Sequence, residues 1–190
     1  MNSYNTYSTM PYIPYKIVMA LIDNENLFKL LYYSTYDALS KPNLTVKQKQ
    51  DMIWNGQDRT DDYTIFLTNI QPNLETIARP VLKIYRYDTL PQNYVNSVIS
   101  YQFDILFGTK IPMVEYNGVP CNRGDLIEME LMKSLNGKDV AGVGFLQFSR
   151  ELSNLSRSRV GIGNNYTFTG ISIVMSTIYT DAGNVNGCNN

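Results

Sequence analysis

One alternating segment in the middle of the chain limits the folds that this sequence can adopt. Over residues 95–107 every second position is almost always apolar: Val95, Ser97, Ile99, Tyr101, Phe103, Ile105 and Phe107. The residues between them are mostly polar, among them Gln102 and Asp104. Because successive side chains of a strand point to opposite faces, the pattern predicts a long antiparallel strand with one buried face. Such a strand needs a sheet whose apolar face is covered by other elements.

Helical signals lie on both sides of this strand. Over residues 15–33 apolar residues recur at spacings of three and four, which predicts an amphipathic helix with a second piece capped near Asn24. Thr45-Val46-Lys47-Gln48 fits a capping box and predicts a short third helix. Asn122 is placed to cap a further helix that ends at Asn136-Gly137.

The remaining segments complete an α+β plan. Further apolar runs predict short strands at Tyr63–Leu67, Val81–Tyr87 and Val143–Phe148 and a last long strand at Tyr166–Tyr179. Residues 108–118 and 149–164 are expected to be loops, the second a protruding flap. The expected fold is an antiparallel β-sheet with flanking helices on one face. Polar composition predicts an extended arm over 1–14 and a flexible tail over 181–190, which leaves 15–180 as a single domain.

Composition favours a structural role over a catalytic one. Only 17% of residues are charged, whereas there are 15 tyrosines, a side chain that is enriched at protein interfaces. The chain has no histidine, so it lacks the commonest general base and metal ligand. A net charge of −1 does not favour nucleic-acid binding, and no apolar run is long enough for a transmembrane helix. We therefore expect no enzyme, no cofactor, no metal and no membrane partner.

Two groups of residues are candidate interface residues. Tyr4, Tyr7 and Tyr12 lie in the predicted arm, where they could contact a neighbouring subunit. Arg150, Arg157 and Arg159 lie in the predicted flap, which is either a solvated loop or a contact with an acidic neighbour or phosphate.

Two other motifs have simpler explanations than chemistry. Asp58, Asp61 and Asp62 resemble a metal cluster by number but lack the spacing of a calcium loop, so a polar loop is favoured. Arg123-Gly124-Asp125 is a cell-adhesion tripeptide that is better explained as the start of a helix.

Two stretches resemble neck proteins of tailed bacteriophages. The first combines Leu27-Phe28-Lys29-Leu30-Leu31-Tyr32-Tyr33 with Asp37-Ala38-Leu39-Ser40-Lys41-Pro42-Asn43-Leu44-Thr45. The second combines Lys133-Ser134-Leu135-Asn136-Gly137-Lys138 with Gly142-Val143-Gly144-Phe145-Leu146. The resemblance is to head–tail connectors of the tail-terminator-like or tail-completion-like kind. It implies an antiparallel sheet flanked by helices, with no catalytic residues.

The resemblance also sets the functional expectation. It implies a structural virion protein, assembled in the host cytoplasm, that forms a homo-oligomeric ring of six or twelve copies. Such a ring joins portal and neck proteins to the tail and passes DNA without sequence-specific binding. The alternatives are a protein-binding adaptor outside a virion and a small carboxylate-dependent hydrolase that uses the aspartates at 58–62.

Overall fold

A mixed sheet with helices on one face forms the body of this protein. The computed structural model describes residues 7–70, 79–92, 96–108, 112–140, 142–148, 157–162 and 168–180. For residues 7–9, 61, 157–162, 168 and 180 it describes the backbone alone.

The helices come mainly from the first third of the chain. The described ranges contain four α-helices: α1 Ile13–Leu21, α2 Glu25–Tyr32, α3 Val46–Asp51 and α4 Arg123–Leu135. Short 3-10 helices lie at Tyr7–Tyr12, Ala38–Ser40 and Thr60–Asp62.

The strands follow from residue 65 onward. They are β1 Ile65–Phe66, β2 Val81–Pro91, β3 Asn96–Gly108, β4 Met113–Tyr116, β5 Val119–Asn122, β6 Lys138–Val140, β7 Gly144–Leu146, β8 Arg157–Ile162 and β9 Phe168–Thr180. The main sheet has the order β1-β2-β3-β9-β8, while β4-β5 and β6-β7 form two small hairpins. Within the main sheet β1 runs parallel to β2, and the other neighbours are antiparallel. The predicted α+β class is confirmed.

The core lies between the helices and one face of the main sheet. Alternate residues of β3, including Ile99, Phe103 and Ile105, are fully buried in one cluster with the apolar residues of α1, α2 and α4. On β9, Ile173 and Met175 lie in the same cluster, since they pair with Phe103 and Tyr101 of β3.

Local hydrogen bonds set the helix ends where the sequence predicts them. The Asn24 side chain accepts from the Leu27 amide at the start of α2. Thr45 and Gln48 form the predicted capping box of α3. Asn122 accepts from two amides at the start of α4. Each cap satisfies an amide that the first turn of a helix leaves without a partner.

The predicted extended arm over residues 1–14 is wrong in its second half. Residues 7–12 are a 3-10 helix, and α1 begins at Ile13, which is completely buried in the core together with Pro14. Proline is favourable in the first turn of a helix, so Pro14 begins the helix instead of preventing it. Residues 1–6 and the predicted tail 181–190 lie outside the described residues.

Both predicted loops contain strands. Residues 113–122 form the β4-β5 hairpin, in which Asn117 and Gly118 have φ of 53° and 80°, the values that a tight two-residue turn requires. Residues 157–162 of the predicted flap pair with β9 as the edge strand β8. Edge strands tolerate charged residues, which explains why this polar stretch is a strand. The rest of that flap lies outside the described residues.

Candidate interaction surface

The sheet face opposite the helices carries a buried polar network. We call this side, which includes Lys83, Tyr85, Gln102, Asp104 and Ser172, the polar face. Lys83 and Asp104 are directly opposite each other on β2 and β3, and their charged groups are 3.3 Å apart. Both residues are about 95% buried. The sequence pattern predicts a polar second face for β3 but not its burial.

Every polar atom of the Asp104 carboxylate has partners. One oxygen accepts from Gln102 Nε2 at 2.7 Å and from the Ser172 hydroxyl. The other accepts from the Tyr85 hydroxyl at 2.9 Å and lies against the Lys83 ammonium. Burial, and then the nearby Asp104 charge, raise the pKa of Tyr85, so this phenol stays protonated at neutral pH. A carboxylate with four partners serves to hold the surrounding side chains in place.

The network orients two side chains that line a groove at the β2 edge of the sheet. The groove has a volume of about 500 Å³ and lies between residues 67–69, which follow β1, and Tyr85, Arg86 and Tyr87 of β2. Gln102 of β3 also lines it. We call this feature the β2 groove. Its walls are mostly uncharged and polar, so it suits a ligand that offers hydrogen bonds.

An apolar row crosses the end of the polar face. Leu90 pairs with Val98, and Val98 pairs with Ile178, so the three residues form one line across β2, β3 and β9. Leu90 is 46% exposed and Ile178 is 61% exposed, although both belong to residue types that are usually buried. We call Leu90, Val98 and Ile178 the apolar row. Val98 is itself buried, so Leu90 and Ile178 are the members of the row that contact with another protein would remove from water.

The structure places only part of the predicted interface residues. Tyr12 ends the first 3-10 helix, and its side chain is 65% exposed. Tyr7 lies in the same helix, where only the backbone is described. Arg157 and Arg159 lie on β8, where their backbones pair with Ile173 and Ile171.

Tyr4 and Arg150 lie outside the described residues. The described members of the two predicted groups therefore lie on separate elements of the fold, the first 3-10 helix and the β8 edge of the sheet.

Of the three aspartates at 58, 61 and 62, Asp58 is held by local hydrogen bonds, and the side chain of Asp61 lies outside the description. Asp58 accepts from Asn55 at 2.6 Å and from the Tyr63 hydroxyl at 3.0 Å, and Trp54 donates to its carbonyl. The hydrogen bond that the Tyr63 hydroxyl donates to Asp58 raises the pKa of Tyr63. Across the described ranges, no three acidic or cysteine side chains are grouped as a metal ion would require. Likewise, none of the helices described is long and apolar enough to cross a bilayer.

The adhesion tripeptide is unavailable to a partner because its arginine is in the core. Arg123 is fully buried, and it donates to the carbonyls of Leu30, Tyr33 and Thr35, each at 2.8 Å. These carbonyls lie at or beyond the end of α2, where a helix leaves acceptors unsatisfied. Burial lowers the pKa of Arg123 to about 10, so the group is charged at neutral pH.

Sequence reasoning missed the polar network and the apolar row as sites. Alternation in β3 placed Gln102 and Asp104 on one face, but the register that brings Lys83 opposite Asp104 is a tertiary property. The Asn117-Gly118 pair was a usable signal for the missed hairpin, since Asn-Gly favours a two-residue turn.

Comparison with known proteins adds a family to this description. The family model of YomW matches residues 24–177, which run from the N-cap residue of α2 into β9. The chain belongs to the YomW family. YomW is a gene product of the Bacillus phage SPbeta region, so family membership makes this a phage-related protein. No curated protein matches the chain. The sequence resemblance implied a phage protein, and the family assignment confirms the association with phage but not a place in the neck.

Proposed function

We propose that this phage-related protein is a structural component of the virion that assembles with copies of itself into a ring at the head–tail junction. The ring contains six or twelve copies and joins portal-side proteins to the tail. DNA passes through its channel without being read. This role extends the family assignment to a particular place in the particle, and the protein acts there without catalysis, cofactor or metal.

The apolar row is the observation that carries the proposal. Leu90 and Ile178 expose large apolar side chains at the end of the polar face. Exposed apolar surface of this kind commonly marks a protein–protein contact. We assign its partner as another copy of the chain, because a head-to-tail contact between identical subunits forms a ring when the rotation between them closes.

The chemistry of the polar face agrees with a structural role. The Asp104 carboxylate is held by four partners, and the Asp58 carboxylate by two. Neither group has the unsatisfied geometry that a general base would use. A net charge of −1 also fits a channel through which DNA slides, since strong phosphate binding would hinder its passage.

The mass of the purified protein tests the proposal. Light scattering should give a mass six or twelve times the monomer's 21.7 kDa. The double variant Leu90→Ser with Ile178→Ser should shift this mass towards the monomer at the same concentration. The matched control is Val46→Ser with Val119→Ser, which removes two similarly exposed apolar side chains from α3 and β5.

Two outcomes would contradict this function. One is a wild-type protein that stays monomeric, alone and in the presence of particles that lack it. The other is immunogold labelling of assembled phage that marks a place other than the neck. If the control variant disassembles as fully as the double variant, the ring stands but the apolar row is not its interface.

The three arginines extend the proposal to the neighbouring ring. Arg157 and Arg159 lie on β8, the edge strand of the main sheet, and we assign them with Arg150 to the contact with the next protein along the axis. Arginine pairs with carboxylates through two parallel hydrogen bonds, which gives such a contact specificity. Changing all three to Ser should preserve the ring and block head-to-tail joining.

A further inference from the structure

The apolar row extends from β9 onto β7. Gln147, the residue after β7, and Ser176 of β9 form an antiparallel bridge with two backbone hydrogen bonds, of 2.8 and 2.9 Å. Two residues further along this register Phe145 lies next to Ile178, and both share the face of the bridged pair because alternate residues of a strand do. Leu146, between Phe145 and Gln147, is completely buried in the core, so Phe145 points to the polar face, where it is 56% exposed.

Phe145 and the apolar row form a continuous surface across β2, β3, β9 and β7. Neighbouring strands lie about 4.8 Å apart, so this surface is about 14 Å long. Phe145 adds an aromatic side chain to it, and aromatic residues are enriched at the cores of protein interfaces. We call Leu90, Val98, Ile178 and Phe145 the apolar strip.

An exposed carboxylate flanks the apolar strip at each end. Asp88 lies two residues before Leu90 on the same face of β2, since the two pair with alternate residues of β3. Asp139 of β6 pairs with Phe145. Both aspartates are exposed, and neither forms an ion pair within the described part of the chain. The apolar strip therefore suits a partner that combines apolar side chains with a cation.

A surface with these properties lies on the helix side of the same chain. Tyr12 and Tyr15 are 65% and 45% exposed, and they are neighbours at the start of α1, three residues apart. Arg86 adjoins them, because its guanidinium nitrogen is 2.6 Å from the sulfur of Met10, two residues before Tyr12. Arg86 lies on the helix side of β2, since it pairs with the buried Tyr101 of β3. We call Tyr12, Tyr15 and Arg86 the tyrosine patch.

The guanidinium of Arg86 is available for an ion pair with a partner. A thioether sulfur is a weak acceptor, and Arg86 forms no ion pair with any carboxylate that the structure describes. Arginine binds carboxylates through two parallel hydrogen bonds, and tyrosine and arginine are enriched among the residues that dominate binding at interfaces. The tyrosine patch therefore offers the cation and the apolar surface that the apolar strip requires.

We propose that the apolar strip of one copy binds the tyrosine patch of the next copy. This inference rests on the proposed function and names the second surface of its ring contact. The two surfaces lie on opposite sides of the sheet, so the contact is head-to-tail and can repeat from copy to copy. Contact between two apolar strips is disfavoured, because it would bring the carboxylates of Asp88 and Asp139 against those of the other copy.

Disulfide trapping between two chains tests the contact directly. Both chains carry Cys121→Ser and Cys188→Ser; one also carries Ile178→Cys and the other Tyr15→Cys. After co-expression and mild oxidation, mass spectrometry should show the covalent heterodimer as the main cross-linked product. The matched control replaces Tyr15→Cys with Val119→Cys, an exposed position on β5 outside both surfaces, and should give little heterodimer.

Charge reversal, followed by light scattering over a dilution series, tests the pairing of the two surfaces. Asp88→Lys with Asp139→Lys should weaken association, and so should Arg86→Glu alone. The triple variant should associate more tightly than either, because the charges are then opposite again. Phe145→Ser should weaken association about thirtyfold, the effect of removing a residue that dominates an interface. All four side chains are exposed, so each variant should keep the circular dichroism spectrum of the wild type.

Several results would overturn the proposal, and they separate it from the proposed function. A wild-type protein that stays monomeric would overturn both. A wild-type ring that gives Ile178→Cys homodimers as the main product would show that two apolar strips meet. A ring that keeps its mass in Phe145→Ser, a heterodimer no more abundant than in the control, or a triple variant no tighter than its parents would each overturn this contact alone and leave the ring standing.

Discussion

The buried guanidinium of Arg123 gives the sharpest prediction about stability. Its three hydrogen bonds, each of 2.8 Å, end on carbonyls of Leu30, Tyr33 and Thr35. They attach the C-terminal end of α2 to the first residue of α4. At the other end of the same helix pair, Asn24 donates to the Glu130 carboxylate and to the Ser134 hydroxyl. The two helices are therefore held together at both ends.

Replacing Arg123 by Met should destabilise the protein by about 3 kcal/mol. A hydrogen bond from a charged group contributes about 1.5–3 kcal/mol, and leaving a buried carbonyl unsatisfied costs about 1–3 kcal/mol. Methionine removes all three bonds but also the cost of burying a charge, which offsets part of the loss. Arg123→Lys keeps the charge but cannot direct donors to three carbonyls at once. Its free energy of unfolding should therefore lie between those of the wild type and of Arg123→Met.

Thermal and urea denaturation followed by circular dichroism measures the effect. For a domain of this size, a loss of 3 kcal/mol corresponds to a fall in Tm of roughly 6–12 °C. Lys47→Met is the control, since Lys47 is an exposed cation on a helix and its loss should stay within about 0.5 kcal/mol. A loss below about 1 kcal/mol for Arg123→Met would refute the reasoning, because water or a relaxed loop would then satisfy the carbonyls.

Three further predictions concern the core and the polar face. Gly124→Ala places a methyl group 2.4 Å from the ring of Phe107, so it should cost about 1–3 kcal/mol in urea denaturation. Asp104→Leu leaves the ammonium of Lys83 buried without its carboxylate and should cost about 3–5 kcal/mol, much of which a second change, Lys83→Met, should restore. Burial raises the pKa of Tyr101, so the protonated phenol contributes fully to stability below pH 10, and this contribution is lost as the pH rises further. Tyr101→Phe should therefore reduce the fall in stability between pH 9 and pH 11.

Features encoded within a few residues were predictable from the sequence. The caps at Asn24, Thr45 and Asn122 depend on contacts within three residues along the chain, and all three form as predicted. The alternation over residues 95–107 placed β3 correctly because a strand with a period of two is distinct from a helix. The α+β class followed from the order of these elements.

Features that depend on register were not predictable in the same way. β8 contains Arg157, Ser158 and Arg159, and only its pairing with β9 makes this polar stretch a strand. The β2 strand continues past its predicted end at Tyr87 because a bulge between Arg86 and Asp88 restores its pairing with β3. The polar network and the apolar row both arise from this register, so no single segment of the sequence signals either of them.

In the proposed function, folding and assembly use opposite faces of the sheet, so they should respond to different substitutions. The helix-covered face buries Ile99, Phe103 and Ile173, and a loss of packing there lowers the free energy of unfolding. Leu90 and Ile178 lie at strand ends on the polar face, where about half or more of each side chain is already in water. Serine at these two positions should therefore change the free energy of unfolding little while it weakens self-association. If the serine variant lost stability and self-association together, the apolar row would belong to the folding core of the subunit and not to an interface.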